Sequence, residues 1–185
     1  MESNAELETP ILKFGRRFDL NDNQHEKCSV LLVSSGRGAM SFLQRILAIN
    51  REEFKTQFQI NICESISDFL KLDVDGHFDY IVLLVNPIVD RWLDEVERNI
   101  ALLDNEIRSR RLCLAIDTSN TIPADIIEPI QQLKKKYSPA TIFGELANEN
   151  EEDTEMMCRK ILSLIKLTCL NKFGLPLVLQ FPSFC

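Results

Sequence analysis

Short apolar runs alternate with amphipathic stretches along most of the chain, and this alternation limits the possible folds more than any other feature. Five runs are predicted as β-strands because they are apolar throughout or alternate with period two, and they lie at residues 29–33, 58–63, 80–86, 112–116 and 140–143. Strands separated by helices require right-handed crossover connections, which make a sheet mainly parallel. The sequence therefore predicts an α/β fold: a single three-layer domain with a mainly parallel sheet flanked by helices.

The stretches between these runs carry apolar residues three or four positions apart, which is the spacing of one helix face. After Pro87 this spacing predicts one long helix with the apolar stripe Ile88, Trp92, Val96, Ile100, Leu103 and Ile107. Trp92 is the only tryptophan, and its place in the stripe favours core packing over a role as an interface anchor. Ser65 or Ser67 is predicted to cap the short helix after the second strand.

Composition limits the number of domains and the kinds of chemistry. The chain has 185 residues, 45% of them hydrophobic, which suffices for one filled core. We interpret residues 1–27 as a flexible lead-in, 28–174 as the domain and 175–185 as an apolar tail. A net charge of -7 argues against binding to nucleic acid or anionic lipid. The six cysteines form no C-x-x-C pair, so no metal or redox site is expected. A secretory signal pattern is missing, which favours the cytosol or nucleus.

The loop after the first strand lies where a phosphate-binding loop would lie. That motif, G-x-x-x-x-G-K-[ST], uses glycines for close backbone approach, a lysine for the phosphates and a hydroxyl for magnesium. Its four defined positions fall on Ser34, Ala39, Met40 and Ser41, so only the hydroxyl is kept. Arg37, at the tip of the loop, is the one substitute cation. We interpret this as a degenerate phosphate loop in which Gly36 and Gly38 serve only the tight turn.

The other strand-end loops, where α/β sheets bind ligands, lack nucleotide and catalytic motifs as well. The tetrapeptide Asp73–Gly76 matches D-x-x-G but is read better as a turn before the next strand. The stretch Asp117–Asn120 replaces the guanine-reading N-K-x-D, and residues 144–150 lack the small residues that support a base. No strand end carries a nucleophile with a base, and His25 and His77 have no ligand set. The prediction is a protein that is not an enzyme and binds no cofactor.

Several segments together resemble a known family. They are SVLLVSS with its degenerate loop, DYIVLLVN before a long helix, RRLCLAI, YSPATIF, and the ending KLTCLNKFGLPLVL. The chain from about Cys28 to its C-terminus resembles the centromere protein M family. The resemblance implies a small-GTPase-like fold that has lost nucleotide binding, in a structural subunit of the inner kinetochore. It also implies a nuclear location at the centromere and binding to centromere protein I, a helical-repeat partner, together with proteins H and K.

Two other functions stay open. A divergent small-GTPase-like protein of trafficking or signalling type would carry nucleotide through purification. Small GTPases have two strands between the first helix and the strand equivalent to residues 80–85, whereas residues 50–79 offer one strand and one short helix. This shortened region argues against a nucleotide-driven switch. A phospho-receiver or small-molecule domain would need an acidic cluster at the strand ends, and Asp117 alone does not provide one.

Two surfaces are candidates for partner binding. The first is the tail after the last helix, whose apolar residues are costly to leave in water and include Leu175, Leu177, Leu179, Phe181 and Phe184. This tail either folds back on the domain or binds the partner, and the resemblance favours the partner. The second is the junction before the fourth strand, where Ile107 is predicted as an apolar spot beside the basic Arg108 and Arg111. Such a spot suits an acidic partner surface.

Overall fold

The computed structural model describes residues 28–36, 38–56, 58–72, 78–119, 124–146 and 151–169. Its strands are β1 (Cys28–Val33), β2 (Phe58–Cys63), β3 (Tyr80–Val85), β4 (Leu112–Asp117) and β5 (Ala140–Gly144). Its α-helices are α1 (Ala39–Ile49), α2 (Ile66–Leu70), α3 (Trp92–Ala101), α4 (Asn105–Arg110), α5 (Ile127–Tyr137) and α6 (Glu151–Cys169). The predicted lead-in and apolar tail lie outside the described residues, so both stay predictions.

All five strands are parallel and form one sheet in the order β2-β1-β3-β4-β5. Every residue of β3, in the centre, is buried, as expected for a strand that is apolar on both faces. The edge strand β2 contains only half-buried and exposed residues. The α/β fold with a parallel sheet between helix layers is therefore confirmed. None of the helices in the described part is long and apolar enough to cross a membrane.

Two hydrophobic cores lie on opposite faces of the sheet. One face packs against α1 and α6, with Phe42 and Ile161 fully buried among residues of β1, β3 and β4. The other face packs against α2, α3, α4 and α5, with Ile100 and Ile107 fully buried. Successive residues of β1 alternate between these cores, with Leu32 in the first and Leu31 in the second.

The single long helix predicted after Pro87 is wrong, because the segment forms a turn and two helices. The Asn86 side chain accepts a hydrogen bond from the Ile88 backbone N–H at 3.1 Å, and α3 begins only at Trp92. A second helix then starts behind Asp104, whose carboxylate accepts the Ile107 N–H at 2.8 Å. Ile88 is therefore 51% exposed and does not share the buried stripe of α3. An acceptor side chain in front of a helix favours a fresh start over continuation.

The region between α1 and β3 is short, as predicted. Its described part contains one strand, β2, and the short helix α2. Ser65 is the N-cap of α2, where its hydroxyl accepts the Asp68 N–H at 3.1 Å, which settles the choice between Ser65 and Ser67. A segment of five residues with π-helical hydrogen bonding, Asn50–Phe54, extends α1 before β2 begins.

Candidate functional site

A cleft of about 220 Å³ opens at the carboxyl ends of the strands. Its walls are the loop after β1, the ends of β3 and β4, and the first turns of α3. Ser34, Gly36, Asn86, Trp92 and Asp117 are among the residues that line it. Parallel α/β sheets bind ligands at this end because the strands diverge there into separate loops. The cleft is thus the position at which any nucleotide chemistry of this fold would take place.

The described lining of the cleft has the wrong charge for a phosphate. It includes the carboxylates of Glu95 and Asp117 and contains no lysine, arginine or histidine. Sites that transfer or hold phosphoryl groups use cations to offset the charge of the phosphate oxygens. Here the two acidic residues add repulsion instead. Arg37, the substitute cation considered from the sequence, lies outside the described residues.

The polar groups of the loop after β1 are engaged within the loop and with β2. Ser34 donates its N–H to the Cys63 carbonyl at 2.9 Å, and its hydroxyl accepts the Gly36 N–H at 3.1 Å. Ser41, the hydroxyl kept from the motif, donates to the Gly38 carbonyl at 2.8 Å. The hydroxyls of Ser34 and Ser41 therefore both bond to the backbone of the loop.

The two remaining motif positions differ in burial. Ala39 is buried at the start of α1 and lines the cleft, with a methyl group at the position where the motif has glycine. Met40 is 56% exposed and uncharged at the position of the phosphate-binding lysine. Of the four motif positions, Ser34 thus follows β1, and Ala39, Met40 and Ser41 form the first turn of α1.

Glycine is not required by the turn after β1, contrary to the prediction. A Cβ atom built on Gly36 would meet only the Ser34 hydroxyl, at an ordinary 3.6 Å, and its φ is not in the left-handed region. Gly38 has a φ of -80°, which any residue adopts. Gly36 and Gly38 therefore do not use the positive-φ backbone conformations that glycine offers.

Asp117 and Asn99 have structural partners that explain their presence at the cleft. Asp117 accepts the Ser119 N–H at 3.0 Å and the Leu146 N–H at 3.2 Å, which joins the loops after β4 and β5. Asn99 is 6% exposed, accepts the Ile66 N–H at 2.8 Å and donates to the Glu95 carbonyl at 3.1 Å. Sequence reasoning missed Asn99, although a polar residue beside Val96 and Ile100 in an apolar stripe was a usable signal.

The junction before β4 does not present an apolar surface spot, so that prediction is wrong. Ile107 is 0% exposed because the turn of α4 directs it into the core beneath α3 and β4. Arg111 is half-buried, where it donates to the Asp79 carbonyl at 3.2 Å and faces Glu106. Arg108 is half-buried and donates to the Asp104 carbonyl at 3.4 Å. These arginines stabilise the junction from within the chain.

Three of the described cysteines, Cys63, Cys113 and Cys158, are poor nucleophiles. Burial, assisted by the nearby Asp68 charge, raises the pKa of Cys63 to about 11. Burial also raises the pKa of Cys113 and of Cys158 to about 12. Because the thiolate is the reactive form, these side chains stay protonated and inert near neutral pH. Within the described ranges, no group of three histidine, cysteine, aspartate or glutamate residues is arranged to hold a metal ion.

Comparison with protein-family models finds no match, and comparison with curated protein sequences finds none either. Among solved structures, flavodoxin 2 from Bacillus cereus is 14% identical, over 76% of this chain and 98% of that chain, with a TM-score of 0.46. A CheY-like receiver domain from Methanospirillum hungatei is 11% identical, over 79% and 99%, with a TM-score of 0.45. Likenesses this distant do not bear on function, and the α/β architecture stands on the observed sheet itself.

Proposed function

We propose that this chain is a non-catalytic structural subunit of the inner kinetochore, built on a small-GTPase-like domain that has lost its nucleotide site. In this proposal it binds and stabilises centromere protein I, in an assembly with proteins H and K at the centromere. The proposal rests on the segments that resemble the centromere protein M family. The structural observation that carries it is the strand-end cleft, whose described lining has two carboxylates and no cation.

The geometry supports a scaffold because the fold is well packed while its customary ligand position is unsuited to phosphate. The sheet centre and both cores are continuous and apolar. The hydroxyls of Ser34 and Ser41 are used by the loop itself. A fold whose chemistry has been lost can still be useful as a binding surface, since folds and functions are separable.

A nucleotide-binding protein of trafficking or signalling type is the second candidate. The specific observation in its favour is the location of the cleft, which lies at the carboxyl ends of the strands beside the start of α1. Backbone N–H groups at a helix start attract anions. This candidate requires cations from outside the described lining to offset Glu95 and Asp117.

The two candidates differ in nucleotide content. The purified chain is denatured, and the supernatant is analysed for guanine and adenine nucleotides, with a small GTPase treated identically as the positive control. The scaffold proposal expects no nucleotide above the buffer blank. Release in amounts comparable with the protein would overturn it and support the second candidate.

Partner binding is tested by co-expression with centromere protein I. We expect the two chains to co-purify, and we expect Phe184→Ser in the tail to weaken capture. Phe143→Ser is the matched control, since Phe143 is the same residue type, 46% exposed on β5. Equal loss of capture in both variants would contradict a contact through the tail. Failure of the wild-type chain to co-purify would contradict the proposed partner.

A further inference from the structure

The sheet has an apolar edge at β2. In the described sheet β2 is an end strand, paired with β1 on one side only. Its sequence FQINIC contains no charge and no proline, two of the devices that normally keep an edge from pairing. Phe58 and Ile60 are half-buried on the α1 side of the sheet, and Ile62, two residues on, is 37% exposed. An edge with these properties favours the addition of another strand.

One flank of α1 continues this apolar edge. Arg45 is on the flank of α1 that faces α6, where it forms an ion pair with Glu155 at 3.2 Å. At 100° per residue, Met40, Leu43 and Leu47 lie on the opposite flank, away from α6 and toward β2. Met40 is 56% exposed and Leu47 is 41% exposed. We call the flank residues Met40, Leu43 and Leu47, together with Ile62 and the outer edge of β2, the edge surface.

The last described helix, α6, ends close to the β2 edge of the sheet. The final residue of α6, Cys169, has its Sγ atom 3.0 Å from the Sγ atom of Cys28, the first residue of β1. Cys28 in turn pairs with Phe58, the first residue of β2. The chain therefore leaves α6 at the amino end of the strands, one strand away from the edge.

The remaining chain has the length and pattern to cover the edge surface. Residues 170–174 span up to about 17 Å, which exceeds the two strand spacings of about 4.8 Å between β1 and a position outside β2. Residues 175–181, LPLVLQF, are one residue longer than β2. Their alternation places Leu175, Leu177, Leu179 and Phe181 on one face of an extended segment. Pro176 is compatible with an edge strand.

Connection handedness favours the same position. The β1–α1–β2 connection runs toward this edge across the face that α1 and α6 share. A strand placed outside β2 after α6 crosses the same face in the same direction, so its connection has the right-handed sense observed almost universally. Because α6 ends at the amino ends of the strands, the added strand would run parallel to β2.

We infer that residues 175–181 of this chain dock on the edge surface as a sixth, parallel strand next to β2, with the four odd-numbered residues against Met40, Leu47 and Ile62. This inference does not rest on the kinetochore proposal, since it uses only the chain's own contacts. If a partner binds the tail, it meets the outer edge of the added strand.

Amide hydrogen exchange on the full chain, without partner, tests the docking. Met40→Ser with Leu47→Ser removes the apolar flank while leaving the tail unchanged. We expect the outward-pointing amides of β2 to exchange at least about tenfold faster in this variant, because loss of docking exposes them. Met156→Ser with Ile127→Ser is the matched control, since these residues are 46% and 53% exposed elsewhere on the domain. We expect β2 exchange in the control to equal that of the wild type.

A second pair of variants addresses the tail itself. Leu177→Ser with Leu179→Ser alters the inward face, and Val178→Ser with Gln180→Ser alters the other face. The first pair is expected to reproduce the faster β2 exchange, while the second is not. Amides of β3 serve as the internal reference for intact folding in every sample.

Several results would overturn the inference. One is fast exchange of all outward β2 amides in the wild-type chain. A second is slow exchange that no flank or tail variant changes. A third is protection that disappears on dilution while sedimentation shows a dimer, because a second copy would then cover the edge. A fourth is protection that arises only when centromere protein I is added. None of these results concerns nucleotide content, so they do not decide the proposed function.

Discussion

Two glycines at the same end of the sheet have opposite constraints. Gly36, in the loop after β1, has open space where a Cβ atom would be, with the nearest atom at 3.6 Å. Gly144, the last residue of β5, has the Met157 Cβ atom at 2.9 Å and its Sδ atom at 3.0 Å from the same position. The loop that resembles a ligand-binding motif is therefore the tolerant region. The β5–α6 contact, which matches no motif, is the region that requires glycine.

The contrast separates two reasons for a glycine, which are ligand approach at position 36 and packing against a helix at position 144. A working phosphate loop needs glycine for close approach of a ligand, whereas no atom of the described chain requires glycine at position 36. At Gly144 the requirement comes from a helix of the same chain. We therefore expect the stability of the strand-end region to depend on contacts of β4 and β5 more than on the loop after β1.

The largest expected effect is that of Gly144→Ala. The added methyl group collides with the Met157 Cβ atom, which is attached to the α6 backbone and cannot swing away. Overpacking of this kind costs about 1–3 kcal/mol in the free energy of unfolding, measurable by urea denaturation. Gly36→Ala is the matched control and should change it by less than about 0.5 kcal/mol. Equal effects of the two substitutions would remove the contrast.

Asp117→Ala should have the next largest effect. It leaves the N–H groups of Ser119 and Leu146 without the carboxylate that joins the β4 and β5 loops. A loss of about 1–2 kcal/mol in the free energy of unfolding is expected, together with faster amide exchange of Leu146. Asp125→Ala, at an exposed position before α5, is the control. An unchanged exchange rate of the Leu146 amide would show that Asp117 does not join the loops after β4 and β5.

Ser34→Ala should have a small effect, since it removes a single exposed hydrogen bond to the Gly36 N–H. We expect a change of less than about 0.5 kcal/mol in the free energy of unfolding, in the same urea assay. A destabilisation as large as that of Asp117→Ala would mean that the loop after β1 is as constrained as the β5 side, and the comparison would have to be reversed.

The smallest expected effect is that of added nucleotide. With GTP and magnesium at millimolar concentration, the thermal unfolding midpoint should shift by less than about 1 °C, because a ligand stabilises a fold only when it binds. The wild-type chain and Gly36→Ala should behave alike in differential scanning fluorimetry. A concentration-dependent rise in the wild type that Gly36→Ala abolishes would show that the loop still needs its glycine for a ligand.

The sequence predicted the fold class well because its signal is local. The strand from Tyr80 to Val85 is apolar at every position, and a run of that kind forms a covered parallel strand in almost any context. The candidate site was also readable in part. The absence of a lysine at Met40 and a glycine at Ala39 is a fact of the sequence, and the structure then placed Ala39 in the lining of the strand-end cleft and left Met40 exposed.

Other features depended on segments far apart in the chain. Helical spacing could not show that Asp104 starts a new helix. It did place Ile107 in the apolar stripe, and only the neighbouring Arg108 and Arg111 suggested that Ile107 lies at the surface, whereas it packs in the core with α3. The bond from Asn99 to Ile66 joins residues 33 positions apart, and the need for glycine at 144 comes from Met157. The amino-acid sequence by itself determined which segments become strands and which phosphate-binding groups are missing, because both depend on residues that are adjacent in the sequence. Only the tertiary structure decided burial, loop joints and steric space, because these depend on side chains that meet after the chain has folded.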